Sequence, residues 1–256
     1  MAADTSTKTP TSDGPPRRAS KRRPLIELSV GYALILLVLW TPRHAQRPLY
    51  IAAILWIVIA TCISFDGLRD MGLHLPVPLR ARWIVPAALA LAAIAIAAAV
   101  AFHTLRLPPT AALFIRRYWG YAIWAAVQQF LLQDFFLLRL LRLLRTSSSA
   151  VIAAVLLFTA AHLPNPLLTP LTLLWGLASC LLFLRYRSLY PLAVAHAILG
   201  ITLAITVPGP VDHNMRVGRG YLLYHHHLSQ NPHTVSTSVC VTAETPTLRS
   251  SRHALP

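Results

Sequence analysis

The chain has 256 residues, 55% of them hydrophobic and 12% charged, with a mean hydropathy of +0.56. Soluble domains run at about 45–50% apolar and about 25% charged residues, which excludes a soluble single-core enzyme. The net charge of +15 raises nucleic acid as a partner. The placement of that charge removes it, because six basic residues fall in the first 23 and most others punctuate apolar runs, the pattern that the inner face of a membrane selects.

In chain order, residues 1–23 are polar, rich in Pro, Ser and Thr, and then basic, a composition expected to stay disordered. Seven apolar runs follow, at 25–40, 49–65, 83–102, 118–138, 151–162, 167–184 and 189–207. The first lacks a small-residue cleavage site and reads as a retained span. None alternates with period two, and a backbone in hydrocarbon must satisfy its own polar groups, so each run is expected to be a helix. Breakers separate them: Thr41-Pro42, Pro76-Val77-Pro78, Pro108-Pro109, the serines 147–149 and Leu163-Pro164-Asn165-Pro166. The expected fold class is all-α, a polytopic transmembrane helical bundle of about seven spans over residues 24–207.

From 208 to 256 the chain is polar and is expected to be mostly irregular, with order ending near Tyr224. The histidines 225–227 and His233 are metal-ligating residue types, but adjacent positions on a tail make a poorly preorganised site. Cys62, Cys180 and Cys240 form neither a disulfide framework nor a zinc pattern.

Polar residues at depth in a span are expensive unless paired or facing a cavity. They are few here: Gln128, Gln129, Gln133 and Asp134 on the fourth run, His162 ending the fifth, and His196 on the seventh. Gln129 and Gln133 share a helix face, with Asp134 rotated by about 100°. With Arg139 and Arg187 taken as membrane edges, the helical rise puts Gln129 about 15 Å deep, Gln133 about 9 Å and His196 about 13 Å. His162, counted from Ser149, lies about 20 Å deep. Three helices thus bring polar groups toward one cavity open to the basic side. Interhelical hydrogen bonding alone is the competing explanation.

These residues resemble the CAAX protease and bacteriocin-processing (CPBP/Abi) family of intramembrane endopeptidases. The family pattern is Glu-Glu-x-x-x-Arg, then Phe-x-x-x-His, then His-x-x-x-Asn or Asp, each on its own span. Here Phe158-Thr-Ala-Ala-His162 is intact, His196-Ala-Ile-Leu-Gly200 keeps the histidine without the Asn, and Gln128-Gln129-Phe-Leu-Leu-Gln133 replaces both glutamates and the arginine. The likeness spans residues 118–207. It implies Gln128, Gln129, Gln133, His162 and His196 as the catalytic set and Phe158, Gly200 and Asn165 as substrate-binding positions. It also implies a divalent metal such as zinc, held by His162 and His196, as the one candidate cofactor.

A carboxamide has the shape of Glu but no useful basicity, and it is a poor metal ligand. Loss of the arginine together with the glutamates leaves no uncompensated buried charge. Two routes back to catalysis remain open: His162 as general base, or Asp134 rotating in. Asp134 is otherwise expected to pair with Arg142, about 80° away around the helix.

The expected function is therefore a membrane-embedded endopeptidase. The alternative is an inactive relative that binds a peptide, lipid or partner protein in the same cavity. A small transporter is disfavoured by the lack of repeated halves. The implied partners are the lipid bilayer and a membrane-associated peptide or protein, with no nucleic acid, and the expected location is a prokaryotic plasma membrane.

With the N-terminus cytosolic, fourteen basic residues fall on the inner side against Arg43, Arg47, Arg106, Arg116 and Arg117 on the outer, setting aside those after 207. This bias fixes the expected orientation. Reporter fusions at Arg145 and Arg187 should both report the cytosolic side, and a split result would overturn the seven-span topology.

Overall fold

The computed structural model describes residues 21–65 and 67–230, with side chains described through residue 226. The expected disordered tail falls almost wholly outside these residues, as do His233 and Cys240. Helix α1 (Arg22–Trp40) opens the described chain and packs against α2 (Arg43–Ile63). Helix α3 (Ile84–Ala101) follows a loop and a short turn at Leu79–Ala81. Helix α4 (Ala111–Phe130) is capped by the Thr110 side chain, which accepts from the Leu113 N–H at 3.3 Å. It runs on through a π-helical stretch, Leu131–Leu137, into α5 (Leu138–Leu143).

Helix α6 (Ser147–Ala160) starts on a second threonine cap, Thr146 to the Ser149 N–H at 3.2 Å. It pairs with α7 (Leu168–Tyr186), and α8 (Tyr190–Thr206) lies between α3 and α4. The described secondary structure is helical throughout.

All seven expected runs are helices, and the fourth is one column extending well beyond 118–138. By length and composition Arg22–Trp40, Arg43–Ile63, Leu79–Ala101 and Leu168–Tyr186 suffice to cross a membrane, with Ser147–Ala160 and Tyr190–Thr206 shorter but apolar. Large aliphatic side chains such as Ile54, Leu55, Ile94 and Leu174 face outward. That inverts the soluble rule and suits a hydrocarbon solvent.

The centre of the bundle is the π-helical stretch, where every residue from Leu132 to Leu140 is buried. Its Phe135 lies so close to Gly31 on α1 that a Cβ at position 31 would stand 2.5 Å from the ring. Arg139, taken from the sequence as a membrane-edge residue, is 3% exposed and buried among the helices. Its Nε donates to Glu27 at 2.9 Å, its Nη1 to the carbonyls of Asp134 and Phe135 at 3.2 Å, and its guanidinium lies 4.1 Å from the Phe135 ring centre.

Glu27, on the first turns of α1, also accepts from Arg23 at 2.9 Å and from the Ser64 hydroxyl at 2.7 Å. A buried guanidinium needs its counter-charge within contact, and Glu27 supplies it. The expected Asp134–Arg142 pair does not form. Arg142 reaches the Ser64 carbonyl at 3.5 Å, while both Asp134 carboxyl oxygens are buried without a hydrogen-bond partner. Across a π-helical turn the bonding shifts to i→i+5, so angular offsets reckoned for an α-helix fail between residues 131 and 137.

The stretch expected to be irregular from 208 is partly helical, with α9 (Gly209–Asp212), a turn at His213–Met215 and α10 (Gly218–Gln230). Tertiary contacts supply what the polar sequence lacks: the Gly218 N–H donates to Leu163 O at 2.8 Å, and α10 packs on α1. Within the segment, His213 packs tilted on Tyr221 at 4.6 Å and stacks on His225 at 5.9 Å between ring centres.

Breaking a buried ion pair from one side strands the other charge, at a cost of about 3–5 kcal/mol. Glu27→Ala should therefore sharply lower the detergent melting temperature. Replacing both partners, Glu27→Leu with Arg139→Met, should cost much less, and equal losses from the single and double variants would contradict the pairing.

Candidate active site

Three helices deliver the polar residues singled out from the sequence. Gln128 and Gln129 stand on the last turn of α4 and Gln133 in the π-helical stretch. His162 follows the last turn of α6, and His196 sits on α8. Gln129 and Gln133 are fully buried, and His162 and His196 are 9% and 8% exposed.

Gln133 sets the network's polarity. Its Nε2 donates to Gln129 Oε1 at 3.3 Å and to the Ser179 hydroxyl at 3.2 Å, the latter tying α4 to α7. With its oxygen so engaged, Gln129 turns its Nε2 to His196 Nδ1, 3.0 Å away. His196 then accepts at Nδ1 and carries its proton on Nε2. That Nε2 bonds to no described residue.

His162 is held in the opposite tautomer. Its Nδ1–H donates to the Phe158 carbonyl at 2.8 Å, one turn back. Nε2 is left with a lone pair, which meets Gln128 Nε2 at 3.4 Å. The Phe158 ring contacts both imidazoles, 4.8 Å from His162 and 6.4 Å from His196 between centres. Gln128, Gln129, Gln133, Phe158, His162 and His196 thus form one constellation.

The other two expected positions stand differently. Gly200 is one turn beyond His196, and the Tyr121 side chain fills the space a Cβ would take there. Asn165 is committed to scaffolding. Its Oδ1 accepts from the Leu167 and Leu168 N–H groups at 3.0 and 2.9 Å, starting α7, and its Nδ2 donates to the Asp212 and Arg216 carbonyls at 2.9 and 3.0 Å. It binds the C-terminal segment across the end of the bundle nearest His162.

Sequence reasoning passed over three neighbours. Trp175 on α7 packs against His196, tilted, at 5.8 Å between ring centres with its indole N–H buried and unpartnered, and the Thr159 hydroxyl beside Phe158 is likewise unpartnered. Ser179 anchors Gln133. Trp175 and Ser179 are four apart on one helix, a spacing legible in the sequence, but nothing there indicates that this face meets His196.

Among the described residues no three His, Cys, Asp or Glu side chains come together to hold a metal ion. The two imidazoles stand among carboxamides, whereas a zinc ion with two histidines takes a carboxylate or thiolate as well. The expected zinc fits this donor set poorly, and no step is derived through one. Asp134 bonds to neither histidine.

A bundle of apolar helices enclosing a neutral constellation of two histidines and three glutamines defines a membrane protein with an intramembrane polar site. Residues 114–202 match the family model described as Type II CAAX prenyl endopeptidase Rce1-like, the CAAX protease family that the three motifs resemble. The match runs from α4 to Thr202 on α8 and takes in all three motifs. No curated protein and no solved structure matches the chain.

Asn165→Ala removes both donors that hold the 212–216 segment. Limited trypsin digestion at Arg216 and Arg219 should accelerate severalfold, and digestion at the wild-type rate would show that α10 is held by its packing on α1 alone.

Proposed function

We propose that the chain is a membrane-embedded endopeptidase that hydrolyses a peptide bond in a membrane-associated substrate, with a histidine instead of a carboxylate as base. The observation that carries this reading is the opposite tautomers of the two imidazoles. His162 offers a lone pair at Nε2 and His196 an N–H at Nε2, and both rings contact Phe158.

In this reaction a water takes the place of the long Gln128 contact and attacks the scissile carbonyl carbon. Its proton passes to His162 Nε2, and the carbonyl electron pair moves onto oxygen, facing the His196 N–H. Collapse breaks the C–N bond, and the His162 imidazolium returns the proton to the leaving amine. The Phe158 carbonyl holds His162, and the Gln129 carboxamide holds His196, in the tautomers these steps need.

A cavity of about 530 Å³ between α3, α4 and α8, lined by Leu89, Ala92, Phe114, Ala126, Ala197 and Ile201, is almost wholly apolar. It runs beside the helix of His196 and suits a hydrocarbon chain carried by the substrate. The partners in this reading are the lipid bilayer and a membrane-anchored peptide or protein. The setting is a prokaryotic plasma membrane with the N-terminus cytosolic.

A second reading, a non-catalytic relative that binds a peptide, lipid or partner protein in the same cavity, is favoured by one observation. Gln128 and Gln129 stand where the family places two glutamates, so the site holds no carboxylate.

In proteoliposomes with a lipidated fluorogenic peptide, wild type should turn over and His162→Ala should lose about 10²–10⁴-fold in rate, the usual worth of a general base. Gln129→Glu should add little. Tight peptide binding without turnover in wild type, with turnover appearing in Gln129→Glu, would replace the enzyme by the binding protein.

A further inference from the structure

The third motif lacks its terminal carboxamide, and Gly200 stands in its place. The space above Gly200 is occupied from another helix. A Cβ built at position 200 would lie 1.8 Å from the Tyr121 hydroxyl oxygen and 2.5 and 2.6 Å from its ring carbons. Any side chain at 200 and the Tyr121 phenol therefore exclude one another. The half-buried Tyr121 belongs to the face of α4 that continues through Ala125 to Gln128 and Gln129, at spacings of four, seven and eight residues. Gly200 follows His196 by four residues, one turn along the same face of α8. The phenol thus arrives from the helix that carries the glutamines, over the turn that carries the histidine, and its hydroxyl bonds to no described residue.

We propose that Tyr121 supplies in trans the hydrogen-bond donor that position 200 lacks, its O–H directed at the substrate carbonyl oxygen beside the His196 N–H. The inference rests on the reading of this cavity as a peptide site. A phenol donates as a carboxamide does and keeps its proton throughout, so its task is to stabilise the oxyanion, without proton transfer. The Gly200–Tyr121 contact accounts for a glycine at a position where any larger residue would expel the donor.

The test uses the full-length protein in liposomes with two probes, a lipidated fluorogenic peptide and the matching lipidated peptide aldehyde, whose hydrate mimics the tetrahedral stage. Tyr121→Phe keeps the ring against Gly200 and removes only the oxygen. It should lower turnover by about 10²–10³-fold, the range for one oxyanion donor, and weaken aldehyde binding at least tenfold, with KM for the peptide little changed. Tyr118→Phe, one turn away on α4, should change neither.

Gly200→Asn alone should clash and lose function, whereas Gly200→Asn with Tyr121→Ala should regain at least part of it. Wild-type turnover and aldehyde affinity in Tyr121→Phe would overturn the role of Tyr121 while leaving the peptide site standing. Wild type that neither cleaves the peptide nor binds the aldehyde would overturn the peptide site and, with it, the role given to Tyr121.

Discussion

A guanidinium or a carboxylate taken out of water costs several kcal/mol unless the two meet, and the contact between Arg139 and Glu27 at 2.9 Å allows both inside the bundle. Much of the arrangement depends on it. The pair fastens the first turns of α1 to the column formed by α4 and α5, and Ser64 brings the end of α2 to the same carboxylate. The same guanidinium takes up carbonyls of Asp134 and Phe135, in the stretch where the helix widens. π-helical turns disrupt regular bonding and recur at functional sites. Here the stretch carries Gln133 and begins two residues after Gln129.

The site itself holds no ion pair. Three glutamines and two histidines are linked in a chain running from Ser179 through Gln133 and Gln129 to His196, with Gln128 and His162 alongside, and Gln133 Oε1 is left buried without a partner. Replacing a Glu-Glu-x-x-x-Arg pattern by three carboxamides removes charges of both signs together and avoids an unpaired charge in a low-dielectric interior. A carboxamide offers donor and acceptor at once, so it also dictates tautomers: what Gln133 gives to Gln129 decides what Gln129 gives to His196. The strongest charges of the bundle sit one and two turns away, where they bear on assembly.

Two further contacts shape the cavity from outside the motifs. Asn165 uses both ends of its amide, one to begin α7 and the other to hold the 212–216 segment. The C-terminal segment consequently lies across the end of the bundle nearest His162. Tyr121 packs on Gly200 between α4 and α8, next to the apolar cavity that those helices share with α3. Both contacts join residues far apart in the chain.

The sequence by itself determined the helical membrane class, the seven apolar segments and the polar residues that matter, because hydrocarbon admits few polar groups and each one present stands out. His162 and His196 were legible for that reason, as were Gln128, Gln129 and Gln133, whereas Phe158 came from the motif resemblance alone. Tertiary structure decided the partners. Glu27 is the third residue of an apolar run and gives no sign that its counter-charge is 112 residues away. Arg139 gives no sign in the sequence that its guanidinium is buried against that carboxylate. The π-helical turn, which undid the expected Asp134–Arg142 pair, leaves no period in the sequence. The order of α10 comes from its docking on α1, where its own composition reads as polar tail. A glycine at 200 reads as an absence until Tyr121 is seen in its space. In each case the deciding free energy comes from a contact between distant segments, and local pattern carries no term for it.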